Sequence, residues 1–392
     1  MNIHDDSAIS PHGKEPADIC LPRSTFRFAQ RVMKKYTKKR HQYSVYSIPS
    51  PAKIWQTGDM NIVSISWVRN EADVIEAFVR HHCTFLDRMI IIDNRSTDNT
   101  GEILTSLRNE GLPIELRSDN SFAHLQGEAL TSVLEELRED APDFVLPLDA
   151  DEFLGENAGG KMRTTLERLP SDVVSMVPWR TYVPVPEDDA SELNVLRRIR
   201  HRRCTEKPQW WKVIIPSSFL KQEMKIRMGS HALVDESNDQ HAKHCECKTL
   251  FLGHFPVRSA GQIAGKVFGG WLSQMANPER TRGAIFQWKA IFDKLKSGKE
   301  IDPQTLMRLA MDYGTEKQWE TLPAEEKGAN ALGHFAGLEP ENMKGAHTVT
   351  LDPIPVDFQL RYDAKRLPPL QILAESAEYL AQELACCSKK RQ

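Results

Sequence analysis

Asp149 and Asp151 stand in an Asp-Ala-Asp turn that closes an apolar run at residues 144–148. Two carboxylates projecting from one turn at a strand end suit a hard divalent cation such as Mg2+ or Mn2+, which prefers oxygen ligands, and such a cation would neutralise a nucleotide diphosphate. A solvated acidic turn capping the next element would carry the same three residues. The apolar run before the turn and Glu152-Phe153-Leu154 after it make the pattern more specific. Two further polar clusters follow apolar runs: Asn70-Glu71 after 62–68, and Asp93-Asn94-Arg95-Ser96-Thr97-Asp98 after 89–92.

The elements that must position these groups are legible in the periodicity. From residue 61 short apolar runs alternate with helical periods, the pattern of strands and crossover helices in a largely parallel α/β sheet. Strands are predicted at 62–68, 89–92, 114–116 and 144–148. A helix over 71–86 aligns Val74, Ile75, Phe78, Val79, His82, Phe85 and Leu86, a second runs through Ile103, Leu104 and Leu107 to Gly111, and a third spans 125–137. Ligands of open α/β sheets bind beyond the carboxyl ends of the strands, and the three polar clusters fall at those ends. Further strands are expected at 173–179, 211–215 and 249–255, a helix from about residue 259, and helical stretches at 305–311 and 370–384. The predicted organisation is a basic extension at 1–57, a catalytic domain at 58–300 and a helical C-terminal region at 301–392.

With these pieces in order along residues 60–271, the chain resembles glycosyltransferase family 2, and within it the bacterial branch with a Leu-Asp-x-Asp-Glu-Phe motif. Val68-Arg69-Asn70-Glu71 is similar to the family's opening motif, and residues 91–100 are similar to its Asp-Asn-x-Ser-x-Asp-x-Thr turn. Gly229-Ser230-His231 and Gly253-His254-Phe255-Pro256-Val257-Arg258-Ser259 resemble the branch's two histidine motifs. The resemblance implies a GT-A fold, a Rossmann-like nucleotide-sugar-binding sheet with flanking helices. It also implies an inverting transfer from a UDP- or GDP-sugar held by Mn2+ or Mg2+, to a glycan, lipid-linked or protein acceptor. It places Asn70, Glu71, Asp93, Ser96 and Asp98 around the nucleotide, Gln126 near the base or ribose, and Asp149 and Asp151 on ribose and metal.

A metal would stabilise the charge developing on the leaving diphosphate, so the acceptor hydroxyl is the group that still needs a base, commonly Asp or Glu. The Glu-Asp pair that follows is Glu187-Asp188, in a proline-flanked acidic segment that reads equally well as a surface loop. Asp188 is the first candidate base. Glu152 is the second, or else a partner that orients Asp151. His254 either completes the metal shell or is hydrogen-bonded in the core, and His231 reads as an acceptor-pocket or structural residue. The cluster from His241 to Cys247 has types that suit zinc at a spacing that matches no common site, and reads as a polar hairpin. The run Arg197-Arg198-Ile199-Arg200-His201-Arg202-Arg203 reads as a solvated basic face. With Lys207, Trp210, Trp211 and Lys212 it would instead bind donor or acceptor, Lys212 reaching a diphosphate.

At 392 residues, 40% hydrophobic and 27% charged, the chain has the composition of a globular protein, and collagenous, mucin-like and wholly disordered classes are excluded. A net charge of −3 gives no field that would demand nucleic acid. No apolar stretch approaches the roughly 20 residues of a membrane-spanning helix. The expectation is therefore a cytoplasmic protein, with the basic segment 23–40 offering peripheral contact at the inner face of the membrane. The seven cysteines resemble no disulfide framework and read as reduced thiols. Two other functions compete. A nucleotidyltransferase on a related sheet typically has a glycine-rich loop after its first strand, which Val68-Arg69-Asn70-Glu71 lacks. A non-catalytic nucleotide-sugar- or glycan-binding protein could share the fold.

Overall fold

The computed structural model describes residues 60–157, 159–277, 280, 283, 285–296, 300–315, 317, 318 and 348–389, all within the unit Tyr43–Gln392. The expected extension at 1–57, with its basic segment 23–40, lies outside the described residues.

β1 (Ile62–Val68) is buried along its whole length, as a central strand covered on both faces must be. It is followed by α1 (Ile75–His82), β2 (Arg88–Asp93), α2 (Thr100–Asn109), β3 (Ile114–Ser118), α3 (Gln126–Asp140) and β4 (Phe144–Pro147). The four strands are parallel in the order β3-β2-β1-β4. Their side chains sort to two faces with period two. Ile62, Met89, Ile91, Phe144 and Leu146 pack against Phe78 and Val79 of α1 and Leu104 and Leu107 of α2. Val63, Ile65, Ile90, Ile92 and Val145 pack against Leu130, Val133 and Leu134 of α3. α1 starts four residues later than its periodicity predicts, because residues 71–74 form a turn in which Val74 N–H donates to Glu71 C=O at 3.0 Å. α2 gives way, as predicted, at Gly111, whose φ of 88° lies in the left-handed region.

After β4 the sheet changes character. β5 (Glu152–Glu156), α4 (Met162–Glu167), β6 (Val174–Val183), α5 (Val195–Arg198), β7 (His201–Arg203) and β8 (Trp211–Pro216) come next. β8 joins β4 antiparallel and β6 joins β8 antiparallel, so the parallel half continues into an antiparallel half of one 11-stranded sheet. β9 (Met224–Ile226) and β10 (Leu233–Asp235) form a separate two-stranded sheet. β11 (His244–Glu246) and β12 (Leu250–His254) both lie parallel to β6, and β12 also runs antiparallel to β5. The remaining described elements are α6 (Ala260–Met275), α7 (Phe286–Lys296), α8 (Pro303–Asp312), β13 (Val349–Leu351) and α9 (Pro369–Lys389). α6 is capped by Ser259, whose side chain accepts from Gln262 N–H at 3.1 Å. No described helix is long and apolar enough to cross a membrane.

Two local expectations are corrected. Residues 241–247 do not make a polar hairpin between strands: β11 adds to β6, and Cys245 and Cys247 are free thiols. The arginine run 197–203 is a solvated face only in part: Arg197 and Arg200 are exposed, and the others are buried or half-buried. Arg203 is 4% exposed and donates to the carbonyls of Ala310 and Tyr313, Arg202 pairs with Asp352 at 2.5 Å, and Arg197 donates to Phe358 C=O at 2.8 Å. Guanidinium forks meeting free carbonyls tie the C-terminal segment to the sheet.

Candidate active site

The first two polar clusters brace one another. Asn70 takes a left-handed conformation, φ 55°, which turns its side chain back over the β2 turn. Its Oδ1 accepts from Thr97 N–H at 2.7 Å and Asp98 N–H at 3.2 Å, while its own N–H donates to Ser96 Oγ at 2.9 Å. Asp98 accepts in return from Ala72 N–H at 3.2 Å and Thr100 N–H at 3.0 Å. Asp93 accepts from Ser96 N–H at 3.1 Å, and burial pushes its carboxyl above the usual range. Asn70, Ser96 and Asp98 therefore spend their polar groups on fixing the rim between β1 and β2.

The acidic turn is held from several sides. Asp149 Oδ1 accepts from Gln126 Nε2 at 2.6 Å and Oδ2 from Lys212 Nζ at 2.8 Å. Gln126, at the first turn of α3, is itself fixed by Gly229 N–H at 3.1 Å. Glu152 accepts from Asp149 N–H at 2.9 Å and lies 3.1 Å from Lys212, so it orients Asp149 rather than Asp151 as expected. Burial, opposed by Lys212 and reinforced by Asp149 and Asp151, pushes the Glu152 carboxyl well above the usual range. Burial works against the Lys212 ammonium, but Asp149 and Glu152 outweigh it and raise its pKa. Lys212 is 2% exposed, a buried counter-ion of the turn.

Asp151 is 2% exposed and meets a different set of partners. Lys266 Nζ lies 2.5 Å from its Oδ2, Arg258 Nη1 3.6 Å and His254 Nε2 4.0 Å. Register brings these together: β12 pairs with β5 so that His254 stands opposite Glu152, and Phe255 N–H donates to Asp151 C=O at 2.8 Å. The chain then turns into α6, which carries Lys266. Burial opposes the ionisation of Asp151, but Lys266, His254 and Arg258 outweigh it and hold the carboxyl well below the usual range. Lys266 also faces Glu71 Oε1 at 3.5 Å. Arg258, fully buried, joins Glu71 and Asp73, with Nε 2.9 Å from Asp73 Oδ2. Arg366 pairs with the same Asp73 and donates to Asn70 C=O at 2.6 Å.

The described residues do not gather the ligand shell that Asp149, Asp151 and His254 were expected to form. Among them no group of three or more His, Cys, Asp or Glu is placed to hold a metal ion. Both turn carboxylates face ammonium groups, Asp149 that of Lys212 and Asp151 that of Lys266. Burial, the largest cause, holds His254 down to about 3, so its ring is neutral near pH 7. It stacks on Trp179 at 4.0 Å, and His254 Nδ1 and Trp179 Nε1 are both buried without a hydrogen-bond partner in the described structure.

Asp188 lies in a turn, its carboxylate accepting from Val185 N–H at 2.9 Å, and burial raises its pKa. His231 Nδ1–H donates to Trp211 C=O at 2.7 Å, and the ring packs against Trp179 and Trp210. Arg69, Arg258, Lys266 and Arg366 are the residues that sequence reasoning passed over. Lys266 had a signal, being the one charged residue in α6. The C-terminal segment supplies more of the wall: Tyr379 of α9 lies under the Arg95 guanidinium at 4.0 Å and beside Phe122.

Residues 65–223, from β1 to just short of β9, match the sequence profile described as glycosyl transferase family 2. The matched span contains the turns after β1, β2 and β4 and Lys212, but not Gly229, His231, His254, Arg258, Lys266, Arg366 or Tyr379. No curated protein matches the chain. Among solved structures, a mannosyltransferase, PcManGT, from Pyrobaculum calidifontis in complex with GDP-Man and Mn2+ is 14% identical, covering 81% of this chain and 90% of that one, with a TM-score of 0.33. Glucosyl-3-phosphoglycerate synthase from Mycobacterium tuberculosis, in complex with Mn2+, UDP and phosphoglyceric acid, is 16% identical over 31% of this chain, with a TM-score of 0.23. The chain covers 43% of that protein. Mannose-1-phosphate geranyltransferase from Thermus thermophilus is 11% identical, covering 66% of this chain and 71% of that one, with a TM-score of 0.25. The mixed sheet and the profile match together make this a GT-A type α/β fold.

Proposed function

We propose that the chain is an inverting glycosyltransferase that moves a sugar from a UDP- or GDP-sugar to a hydroxyl of a glycan, lipid-linked or protein acceptor. The observation that supports it most is the acidic turn at the carboxyl end of β4, with Asp149 held by both Gln126 and Lys212 inside the matched span. In this reading the nucleotide lies on the rim braced by Asn70, Ser96 and Asp98, with Asp93 and Asp149 toward its base and ribose. The stacked rings of Trp179 and His254 offer the sugar an apolar face and two ring nitrogens that have no partner in the described structure. Asp188, with its pKa raised by burial, is the base that takes the acceptor proton.

The charge that develops on the leaving diphosphate must be met by fixed cations or a metal. It comes either from Mn2+ or Mg2+ arriving with the donor or from the chain itself, and the ion pairs around Asp151 favour the chain. The setting of this reading is polysaccharide synthesis at the cytoplasmic side of a membrane. The test is a panel of nucleotide sugars screened for protection against thermal unfolding, since a ligand that binds the native state raises its stability. Product stereochemistry by NMR follows for the donor found. A panel in which no nucleotide sugar protects or reacts would end the reading, and an α-linked product from an α-linked donor would end the inverting mechanism.

A further inference from the structure

The ion pairs of the site join five carboxyl groups, Glu71, Asp73, Asp149, Asp151 and Glu152, to four cations, Lys212, Arg258, Lys266 and Arg366. Every one of these carboxyl groups has a cation within ion-pair distance. The acidic turn that would give a divalent ion its negative ligands is thus already paired with cations of the chain. A bound divalent ion needs several oxygen ligands in direct contact. At Asp151 the cations gather on Oδ2: Lys266 is bonded to it and the Arg258 guanidinium lies 3.6 Å away, held there by Glu71 and Asp73.

Beside this cluster, cationic side chains have donors to spare. Lys266 presents three N–H groups and meets two carboxylates, Asp151 and Glu71, which leaves one donor for a ligand; its side chain is 17% exposed. Arg69, at the end of β1, lies over the Phe122 ring at 5.2 Å, and its Nε and Nη1 are buried without a partner in the described structure. Burial and then the like charge of Arg95 lower its pKa to about 10, which leaves the guanidinium charged. Arg69 stands two residues before Glu71, whose Oε1 is 3.5 Å from Lys266 Nζ, so both cations border the turn that follows β1. A buried guanidinium without an acceptor is costly unless a ligand supplies one. An anion with several oxygens is the ligand that answers both groups.

We infer that Lys266, with Arg69, does the work of the divalent ion, so that this chain binds the diphosphate of its donor and stabilises its departure without a metal. The inference rests on the nucleotide-sugar reading above. When the bond between the anomeric carbon and the diphosphate oxygen breaks, its electron pair stays on that oxygen. The ammonium of Lys266 and the guanidinium of Arg69 donate to the oxygens that gain the charge. The acceptor oxygen bonds to the anomeric carbon and its proton passes to the base. Asp151 is a positioning residue here: it aims Lys266 and does not touch the donor.

The experiment is calorimetric binding of UDP, GDP and dTDP to the full chain, in excess EDTA and in millimolar Mn2+. One nucleotide should bind in EDTA with a Kd within about threefold of its value in Mn2+. Lys266→Met should weaken that binding by about tenfold or more, the loss of one charge-assisted contact, with Lys266→Arg retaining most of it. If Lys266→Met does not fold, the wild-type comparison and Lys266→Arg still decide. Binding that is more than about tenfold weaker in EDTA overturns the metal-free inference and leaves the transferase standing. Failure of every nucleotide to bind in either condition overturns the nucleotide-sugar reading itself.

Discussion

Arg258→Met tests whether the buried ion cluster holds the site together. Arg258 is fully buried and joins the turn after β1, through Glu71 and Asp73, to the acidic turn after β4, through Asp151. Removing one partner of a buried ion pair costs about 3–5 kcal/mol because the other charge is left uncompensated. Asp73 keeps Arg366 and Asp151 keeps Lys266, which places the expected loss in the lower half of that range. At roughly 2 °C per kcal/mol for a large domain, the melting temperature should fall by about 6–8 °C near neutral pH. The pH dependence gives a second handle. In the wild type burial opposes ionisation of Asp73 and Asp151, but Arg258 and Arg366 at the first and Lys266 at the second hold both carboxyls well below the usual range. Groups with depressed folded pKa values contribute stability above the unfolded value, about 3.9, and lose it as pH falls through the folded value. The difference between wild type and Arg258→Met should therefore be full at pH 6–7 and shrink below about pH 4. Melts followed by circular dichroism from pH 7 to 3 measure it. A deficit under about 1 °C, or one equally large at pH 3 and pH 7, would refute the ion-pair reasoning.

Asp188→Asn should lower turnover by about 100-fold or more while donor affinity stays near wild type, the scale of a lost general base; single-turnover kinetics beside calorimetric binding separate the two, and unchanged turnover makes Asp188 a turn residue only. His254→Ala removes a buried ring stacked on Trp179 and should lower the melting temperature while leaving the response to Mn2+ as it is in wild type; a lost Mn2+ response would make His254 the metal ligand that the sequence suggested. Gly155→Ala should destabilise the fold by about 1–3 kcal/mol, because an added Cβ would lie 2.2 Å from the Phe251 ring; a neutral denaturation midpoint would mean that the ring has room to move.

The ion cluster also shows how the second half of the chain completes a site that begins in the first. The turns of β1, β2 and β4 carry mostly acidic and amide groups. The cations that neutralise them come from β8, from the segment after β12, from α6 and from residue 366. The profile match covers only the first of these sources. The acidic turn alone is therefore an incomplete description of the site's charge.

By itself the sequence determined the parallel half of the sheet, its helices and the rim where polar residues collect. β1 agrees with its predicted limits, and β2, β3, β4, α2, α3 and α6 agree within a few residues, because each buries an apolar face whose period is local and strong. It also determined which carboxylates sit at strand ends. Pairing over long sequence separation was decided only by the tertiary structure. β5 was not recognised because it exists by virtue of β12, about a hundred residues later, and 197–203 looked solvated because the carbonyls and Asp352 that bind its arginines lie in distant segments. For the same reason the sequence could assign Asp151 to a metal by its type alone. Only folding α6 across the turn showed that an ammonium already stands on that carboxylate, since a charge's partner is set by distance in space and not by spacing along the chain.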